Sequence, residues 1–193
     1  MAKIEVLIEG YAKKLKGGWL ASSTSTLVNS NGKNIIVDPG CNRQKLVEEL
    51  SKRNLKPADI DFVLLTHSHL DHTQLAGIFQ NAKIFNYEEI HENDLISGHH
   101  GKIPETDLEI IQTPGHSDDH CSLIVKVDEM TYAIVGDLFW WMESEEQKVD
   151  INKLDQAHAC NMEKLVESRK KILETADWII PGHGKMFRVE KQI

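Results

Sequence analysis

Short apolar runs recur along the chain, and most of them end at glycine, proline or a group of polar residues. Runs of this length that are rich in valine and isoleucine are typical of buried strands. They predict strands at Lys3 to Ile8, Thr24 to Val28, Asn34 to Val37, Ile60 to Leu65, Ala82 to Asn86, Leu108 to Ile111, Cys121 to Val127, Thr131 to Val135 and Asp177 to Ile180. Asn31-Gly32 predicts a hairpin turn between the second and third strands, because these residues accept positive φ angles.

Helical spacing, with apolar residues three and four positions apart, occurs in fewer places. It predicts helices at Gln44 to Arg53 and Met162 to Thr175, and a weaker helix through Tyr87 to Leu95. A short helical pattern is also present at Leu75, Ala76, Ile78 and Phe79. The strands come in two batches that each end with helices, which predicts an α+β fold of two packed sheets with helices outside.

Composition narrows the class of protein. The chain has 193 residues, with 40% hydrophobic and 27% charged residues, as expected for one globular domain covering residues 1–193. The net charge of -8 gives little long-range attraction for nucleic acid or an anionic membrane, so we expect a small-molecule substrate. Basic groups at Lys13-Lys14-Lys16 and Arg169-Lys170-Lys171 are interpreted as solvated faces.

Cysteine usage and the N-terminus bear on location. Cys41, Cys121 and Cys160 are widely spaced and form no C-x-x-C pair, which suits a reducing compartment. The N-terminal residues show no secretion pattern, and no apolar stretch approaches membrane-spanning length. We therefore expect a cytoplasmic protein that makes no membrane contact.

The chemistry is concentrated in Thr66-His67-Ser68-His69-Leu70-Asp71-His72, where four potential metal ligands follow an apolar strand. Three other apolar strands end in the same way, at His116 after Pro-Gly, at Asp137 after glycine and at His183 after Pro-Gly. Each of these positions alone is weak evidence, but four strand ends of one kind predict a metal site. Imidazole and carboxylate ligands favour zinc, iron or manganese over calcium or magnesium.

The run from His67 to His72 resembles the HxHxDH signature of the metallo-β-lactamase superfamily, and the three later positions follow in that family's order. The resemblance extends from about Ile4 to Val189 and implies a four-layer αββα sandwich with a two-metal centre at one edge. It implies that one metal is held by His67, His69 and His116, the other by Asp71, His72 and His183, with Asp137 bridging. It also places Asp38 behind the ligands, where a carboxylate would orient an imidazole.

The resemblance implies a dinuclear hydrolase in which a metal-bridging hydroxide attacks an ester, thioester, lactone or phosphodiester of a small molecule. We expect two divalent ions, with zinc first and iron or manganese as alternatives. Asp71 is expected to orient the hydroxide as well as bind metal. No serine or cysteine nucleophile is then needed, so Ser68 and Cys121 are not expected to be catalytic.

Two other functions stay open. The segment from Glu167 to Val189 is similar to the small single-domain group around metallo-β-lactamase domain-containing protein 1, one animal member of which is a ribonuclease. Persulfide dioxygenases of the superfamily also keep the HxHxDH pattern and use one iron. Antibiotic hydrolysis is not favoured, because β-lactamases usually carry cysteine or serine where Asp137 stands.

Several other residues allow more than one interpretation. His120 is either a partner of a metal ligand, a proton donor to the leaving group or a turn residue. His99, His100 and His158 either line the substrate site or belong to surface loops. Phe139-Trp140-Trp141 is either the apolar wall of a pocket or part of the core or of an interface.

Overall fold

The computed structural model describes residues 2–99, 101–155 and 158–190. The strands in this part of the chain are β1 Lys3–Ile8, β2 Tyr11–Leu15, β3 Gly18–Ser22, β4 Ser25–Ser30, β5 Lys33–Val37, β6 Phe62–Leu64, β7 Lys83–Phe85, β8 Glu89–Glu92, β9 Leu95–Gly98, β10 Glu109–Gln112, β11 Cys121–Val127, β12 Met130–Ile134, β13 Trp178–Ile180 and β14 Phe187–Arg188. The α-helices are α1 Arg43–Lys52, α2 Leu70–Thr73 and α3 Met162–Thr175.

The strands form two large sheets and a separate hairpin. The seven-stranded sheet has the order β1-β4-β5-β6-β7-β8-β9, and the five-stranded sheet has the order β10-β11-β12-β13-β14. Strands β5, β6 and β7 run parallel, as do β12 and β13, and the other pairs are antiparallel. Strands β2 and β3 pair only with each other.

Alternation along the strands produces the layers. Ile35 and Val37 of β5 point into a core shared with Leu123 and Val125 of the second sheet, so the two sheets pack face to face. The intervening Ile36 points the other way and packs with the buried side chains of α1. On the second sheet, α3 packs against the outer face in the same manner. The predicted αββα sandwich is confirmed.

Turn and cap residues explain where several elements begin and end. Asn31 and Gly32 have φ angles of 51° and 79°, as the predicted two-residue hairpin requires. Asn42 caps α1 by accepting from the Lys45 backbone N–H at 3.2 Å, and Asn161 caps α3 in the same way. Both long predicted helices are confirmed to within one residue.

The predicted helix through Tyr87 to Leu95 is wrong, because this region forms the β8–β9 hairpin. The Asn86 side chain accepts from the backbone N–H groups of Glu88 and Glu89, both at 2.8 Å, as a helix cap would, but Ile90 and His91 pair with β7 and this sheet pairing overrides the weak helical pattern. Asn93 then takes a φ of 56° in the turn between the strands. The helical pattern at Leu75 to Phe79 forms only a 3-10 turn at Ala76–Ile78, which follows the short helix α2.

The interpretation of Arg169-Lys170-Lys171 as a solvated face is wrong for its first residue. The Arg169 side chain is 1% exposed and is among the largest fully buried side chains. Its guanidinium donates to the carbonyl oxygens of Leu138, Ile151 and Lys153 at 2.7–3.1 Å. Arg169 therefore ties α3 to the segment that follows β12, although burial lowers the pKa of its side chain.

None of the helices in the described ranges is long and apolar enough to cross a membrane.

Candidate metal centre

The strand ends singled out in the sequence meet at one edge of the sandwich. His67 and His69 follow β6, Asp137 follows β12, and His183 follows β13. Together with Asp71, His72 and His116, these side chains form two groups that are each able to hold a metal ion. The first group contains His67, His69, His116 and Asp137, and the second contains Asp71, His72 and His183, with donor atoms within 4.8 Å of one another in each group.

Asp38 organises two of these histidines from behind. Its Oδ2 lies 2.8 Å from His72 Nδ1 and accepts from the Thr66 hydroxyl at 2.7 Å. Because that hydroxyl gives its proton to Asp38, it accepts from His67 Nδ1 at 3.1 Å. Both rings are thereby held with Nδ1 protonated and Nε2 directed into the cluster. This contact is the one that the sequence predicted for Asp38.

Asp155 performs the same task for His116, and sequence analysis missed it. Its Oδ2 lies 3.0 Å from His116 Nδ1, and the same oxygen accepts from Trp140 Nε1 at 3.2 Å. Asp155 is 4% exposed and lies in an irregular segment with no motif, so no pattern in the sequence marks it. His183 Nδ1 lies 3.1 Å from the Tyr11 carbonyl oxygen, which holds that ring in the same manner.

The cluster contains buried polar atoms that no protein group satisfies. His67 Nε2, His72 Nε2 and Asp137 Oδ1 are buried without a hydrogen-bond partner. His72 Nε2 and Asp137 Oδ1 are 3.2 Å apart, but they are not aligned for a hydrogen bond. Buried polar groups of this kind are normally paired, and unpaired ones at convergent nitrogens and carboxylates indicate a missing cation. The residues present therefore fit a metal ion.

Asp137 lies between the two groups. Its Oδ2 is 3.5 Å from His116 Nε2, while its Oδ1 is 3.2 Å from His72 Nε2 and 3.5 Å from His183 Nε2. Asp71 approaches the second group only, with Oδ2 3.2 Å from His183 Nε2. A carboxylate with one oxygen towards each group has the geometry of a bridging ligand.

Burial and neighbouring charges shift the pKa values of the candidate ligands. Burial favours a neutral Asp137, but the neighbouring His183 and His72 outweigh it and hold the pKa of that carboxyl well below its usual value. Burial and the nearby His72 lower the pKa of His67, so its ring is neutral. Burial also acts on His72, yet Asp137 and Asp38 raise its pKa well above the ordinary value. A bound metal would replace that proton.

Glycine is required where strands turn into the centre. A Cβ on Gly182 would lie 2.0 Å from Asp137 Oδ1, and one on Gly136 would lie 2.3 Å from Thr66 Oγ1. Gly136 also has a φ of 46°. The glycines beside Asp137 and His183 thus permit the close approach of the strand ends.

A cavity of about 410 Å³ opens beside the two groups. Five of the predicted ligands line it, namely His69, Asp71, His116, Asp137 and His183, together with apolar and aromatic residues. Trp140 lines this cavity, whereas Phe139 and Trp141 are buried in the core beneath α3. The three aromatic residues after Leu138 are therefore divided between the two interpretations. Trp19, on the hairpin that the sequence did not predict, is the aromatic residue of the cavity that was missed.

The remaining histidines differ in whether they line the cavity. His158 lines the cavity, whereas His99 does not and instead joins the Asn86 carbonyl to the Gly101 N–H. His120 is fully buried, contacts the Thr113 hydroxyl and has a pKa lowered by burial to about 3, so it does not face a substrate. His100 lies outside the described residues. Cys121 is buried and Ser68 is exposed outside the cavity.

Comparison with known proteins identifies the family of the chain. The family model of the metallo-beta-lactamase superfamily matches residues 18–183. The chain belongs to the metallo-beta-lactamase superfamily. It is 31% identical to metallo-beta-lactamase domain-containing protein 1 of Xenopus laevis, over 97% of this chain and 82% of that protein. The resemblance to this group is therefore confirmed, although the chain spans only 64% of the rat protein of the same name.

Two further relatives bear on chemistry and fold. A Methanocaldococcus jannaschii protein named "Probable metallo-hydrolase" is 36% identical over 81% of this chain and 74% of its own length. A solved structure of "a probable metal-dependent hydrolase" from Staphylococcus aureus superposes with a TM-score of 0.70 at 17% identity, over 94% of this chain and 89% of that chain. The Staphylococcus aureus structure shows the fold, and the family together with the name of the archaeal protein supports a hydrolase-type enzyme with a divalent metal site.

Proposed function

We propose that this protein is a dinuclear metal-dependent hydrolase acting on an ester, thioester, lactone or phosphodiester of a small molecule. The observation that carries the proposal is the position of Asp137, with one carboxylate oxygen directed towards each ligand group. A single-metal site would need only one of these groups. Here both groups have three or more candidate ligands each, and Asp137 is within reach of both.

The ligand assignment follows from the side chains present. His67, His69 and His116 would hold one ion, Asp71, His72 and His183 the other, and Asp137 would bridge them. Two divalent ions at such a centre supply a water of lowered pKa and polarise the group under attack. Zinc is the first expectation because neutral imidazoles and carboxylates are its common ligands, and iron and manganese accept the same donors.

The chain itself contributes orientation and a proton acceptor. Asp38, Asp155 and the Tyr11 carbonyl fix the imidazole rings so that the other ring nitrogen points inward. Asp71 is about one third exposed, with its side chain at 29%, and it lines the cavity. It is therefore the carboxylate placed to orient a nucleophile and accept its proton, which is the role proposed for it in addition to metal binding.

Metal analysis separates this proposal from the iron oxidoreductase alternative. Protein purified without added metal should contain two zinc ions per chain, and chelation should abolish hydrolysis in a way that added zinc restores. His183→Ala should retain about one ion, whereas His91→Ala provides a matched control because His91 lies on β8 and its ring nitrogen contacts Glu89, which is not one of the candidate ligands. One iron per chain with no hydrolysis of any ester, thioester, lactone or phosphodiester would favour oxygen chemistry.

A further inference from the structure

We propose that Trp19, Trp140 and His158 form a binding surface for an apolar, preferentially aromatic, acyl group, so that the substrate is an uncharged thioester, ester or lactone. This inference rests on the proposed hydrolase function and narrows its substrate class. We call these three residues the aromatic triad.

The aromatic triad runs from the cavity mouth to the candidate metal centre. His158 lies between the two indoles, with ring centroids 6.4 Å from Trp19 and 5.6 Å from Trp140 and both contacts nearly perpendicular. Trp140 continues the row, because its ring centroid is 6.3 Å from that of His183. An acyl group lying along the triad would therefore place its carbonyl carbon beside the two ligand groups.

The β2–β3 hairpin presents Trp19 to this cavity. Cross-strand partners share a face of the hairpin, and the pairs Ala12–Ala21 and Lys14–Trp19 lie on the same face. Ala12, Ala21 and Trp19 all line the cavity, so two small residues leave room beneath one large ring. Trp19 is 51% exposed. A large exposed aromatic side chain at the mouth of a cavity is typical of a ligand-binding surface.

Beyond the metal ligands, the cavity wall presents no charged side chain of its own to a substrate. Its charged lining residues, Asp71 and Asp137, belong to the candidate metal centre, and no lysine or arginine is found among the lining residues in the described part of the chain. Lys14 Nζ lies 6.0 Å from the Trp19 ring centroid without lining the cavity, and the Lys153 ammonium beside Trp140 is held by Glu145 and the Trp140 carbonyl, each at 2.8 Å. Metal ions would engage the group under attack, but a nucleic-acid chain also needs cationic partners for its other phosphates, so the wall favours an uncharged acyl group over nucleic acid.

The reaction needs no group beyond water. In a thioester, water oxygen bonds to the carbonyl carbon and the carbon–sulfur bond breaks; one water proton goes to the leaving sulfur, which departs as a thiol, and the other is released to solvent as the carboxylate forms. At about 410 Å³ the cavity is of the size that small-molecule sites commonly have. The structure thus leaves space for an acyl group of phenylacetyl or hexanoyl size.

The first test compares acyl groups on one uncharged leaving group. N-acetylcysteamine thioesters of acetate, hexanoate, phenylacetate and succinate are followed by thiol release with the zinc-loaded protein. We expect kcat/KM for phenylacetyl to exceed that for acetyl by at least about 10-fold, and the anionic succinyl group to be the poorest. Trp19→Ala should reduce the phenylacetyl-to-acetyl ratio at least about 5-fold, and Trp19→Phe should restore most of it.

Leu20→Ala is the matched control. Leu20 neighbours Trp19, is similarly exposed at 48%, and points to the opposite face of the hairpin. It should leave the ratio unchanged. Equal rates for all four acyl groups, a preference for succinyl, or the same ratio in Trp19→Ala and wild type would each overturn the inference while the hydrolase function stands.

The second test does not depend on turnover. Calorimetry measures binding of 4-phenyl-2-butanone, an uncharged aryl ketone that cannot be hydrolysed, against acetone as reference. We expect the aryl ketone to bind, with at least about 5-fold weaker affinity in Trp19→Ala and unchanged affinity in Leu20→Ala. Binding of this kind without hydrolysis of any ester, thioester, lactone or phosphodiester would refute the hydrolase function and leave the aromatic site. No binding to wild type, or salt-sensitive cleavage of single-stranded RNA in its place, would refute the aromatic site.

Discussion

The candidate metal centre and the cavity wall beside it are built in different ways. At the metal centre, buried side chains project from strand ends, and His67, His72 and His116 each have their second ring nitrogen held by a neighbour. The wall is made of the β2–β3 hairpin and the irregular segment after β12. Trp19 is half exposed there, whereas His72 is fully buried.

This difference indicates a division of labour. Residues that must hold an ion within a few tenths of an ångström lie on a rigid scaffold, where sheets and buried hydrogen bonds fix them. Residues that select a substrate lie on connecting segments, which can change without disturbing the core. Asp155 joins the two regions, because one of its oxygens contacts His116 in the metal centre and Trp140 in the wall.

The largest effect is expected at Asp137, within the rigid region. Asp137→Ala should lose activity and disturb both metal positions, because each carboxylate oxygen faces one ligand group. His183→Ala should weaken chiefly the second position. Elemental analysis and a metal-bound crystal structure of each variant provide the measurement. Two ions at full occupancy in Asp137→Ala would contradict the bridging role, because neither ligand group would then depend on Asp137.

The next largest effect is expected beneath the wall, at Arg169. Replacing it with Met leaves the carbonyls of Leu138, Ile151 and Lys153 without their donor, so the free energy of unfolding should fall by about 2–4 kcal/mol. Urea unfolding of the metal-free protein measures this loss. Lys170→Met, on the exposed neighbour, should stay within about 0.5 kcal/mol of wild type. Equal losses in both variants would show that the segment after β12 needs no buried anchor.

Asp155→Asn tests the connection between the two regions. The change keeps the shape of the side chain but removes its charge from His116 Nδ1, so metal affinity should fall about 10- to 100-fold. Competition with a zinc chelator measures the affinity. Asp150→Asn is the control, since Asp150 is exposed on the same segment and its side chain accepts from the Asn152 N–H rather than contacting a candidate ligand. Unchanged affinity in Asp155→Asn would separate the wall from the metal centre.

The residues of the candidate metal centre could be predicted from the sequence because short motifs at strand ends mark them. The run from His67 to His72 follows a buried strand, and His116, Asp137 and His183 follow strands that end at glycine or Pro-Gly. Strands β10, β12 and β13 run in the same direction, so their carboxyl ends lie at one edge of the five-stranded sheet, and packing of the two sheets brings the end of β6 to the same place. The structure brings all seven predicted ligands together and places Asp38 against His72. Their roles as ligands stay predictions until a metal is bound.

The residues of the cavity wall were predicted poorly because contacts between residues distant in the sequence bring them to the cavity. Trp19 belongs to a hairpin that pairs with neither large sheet, and the polar stretch from Lys13 to Gly18 has no clear alternation. Asp155 acquires its role only because α3 and Arg169 bring its segment back to His116. The β8–β9 hairpin was mistaken for a helix for a related reason, since the pairing of β8 with β7 overrides a weak helical pattern.

The smallest effect is expected at Glu145, on the outer side of the wall. Its carboxylate accepts from Lys153 at 2.8 Å and from the Met142 N–H at 3.0 Å; burial alone would raise its pKa, but these contacts lower it below the ordinary value. A carboxyl group whose pKa is lowered on folding stabilises the fold fully above its unfolded pKa, and this stabilisation is lost as the pH falls through its folded pKa. With a side chain 32% exposed, Glu145→Gln should lose only about 0.5 kcal/mol near pH 7, and progressively less at acid pH as the carboxyl group is protonated. Urea unfolding at both pH values measures this, with exposed Glu146→Gln as the control. A loss as large as that of Arg169→Met would mean that the wall is held as rigidly as the metal centre, and the proposed division between them would be wrong.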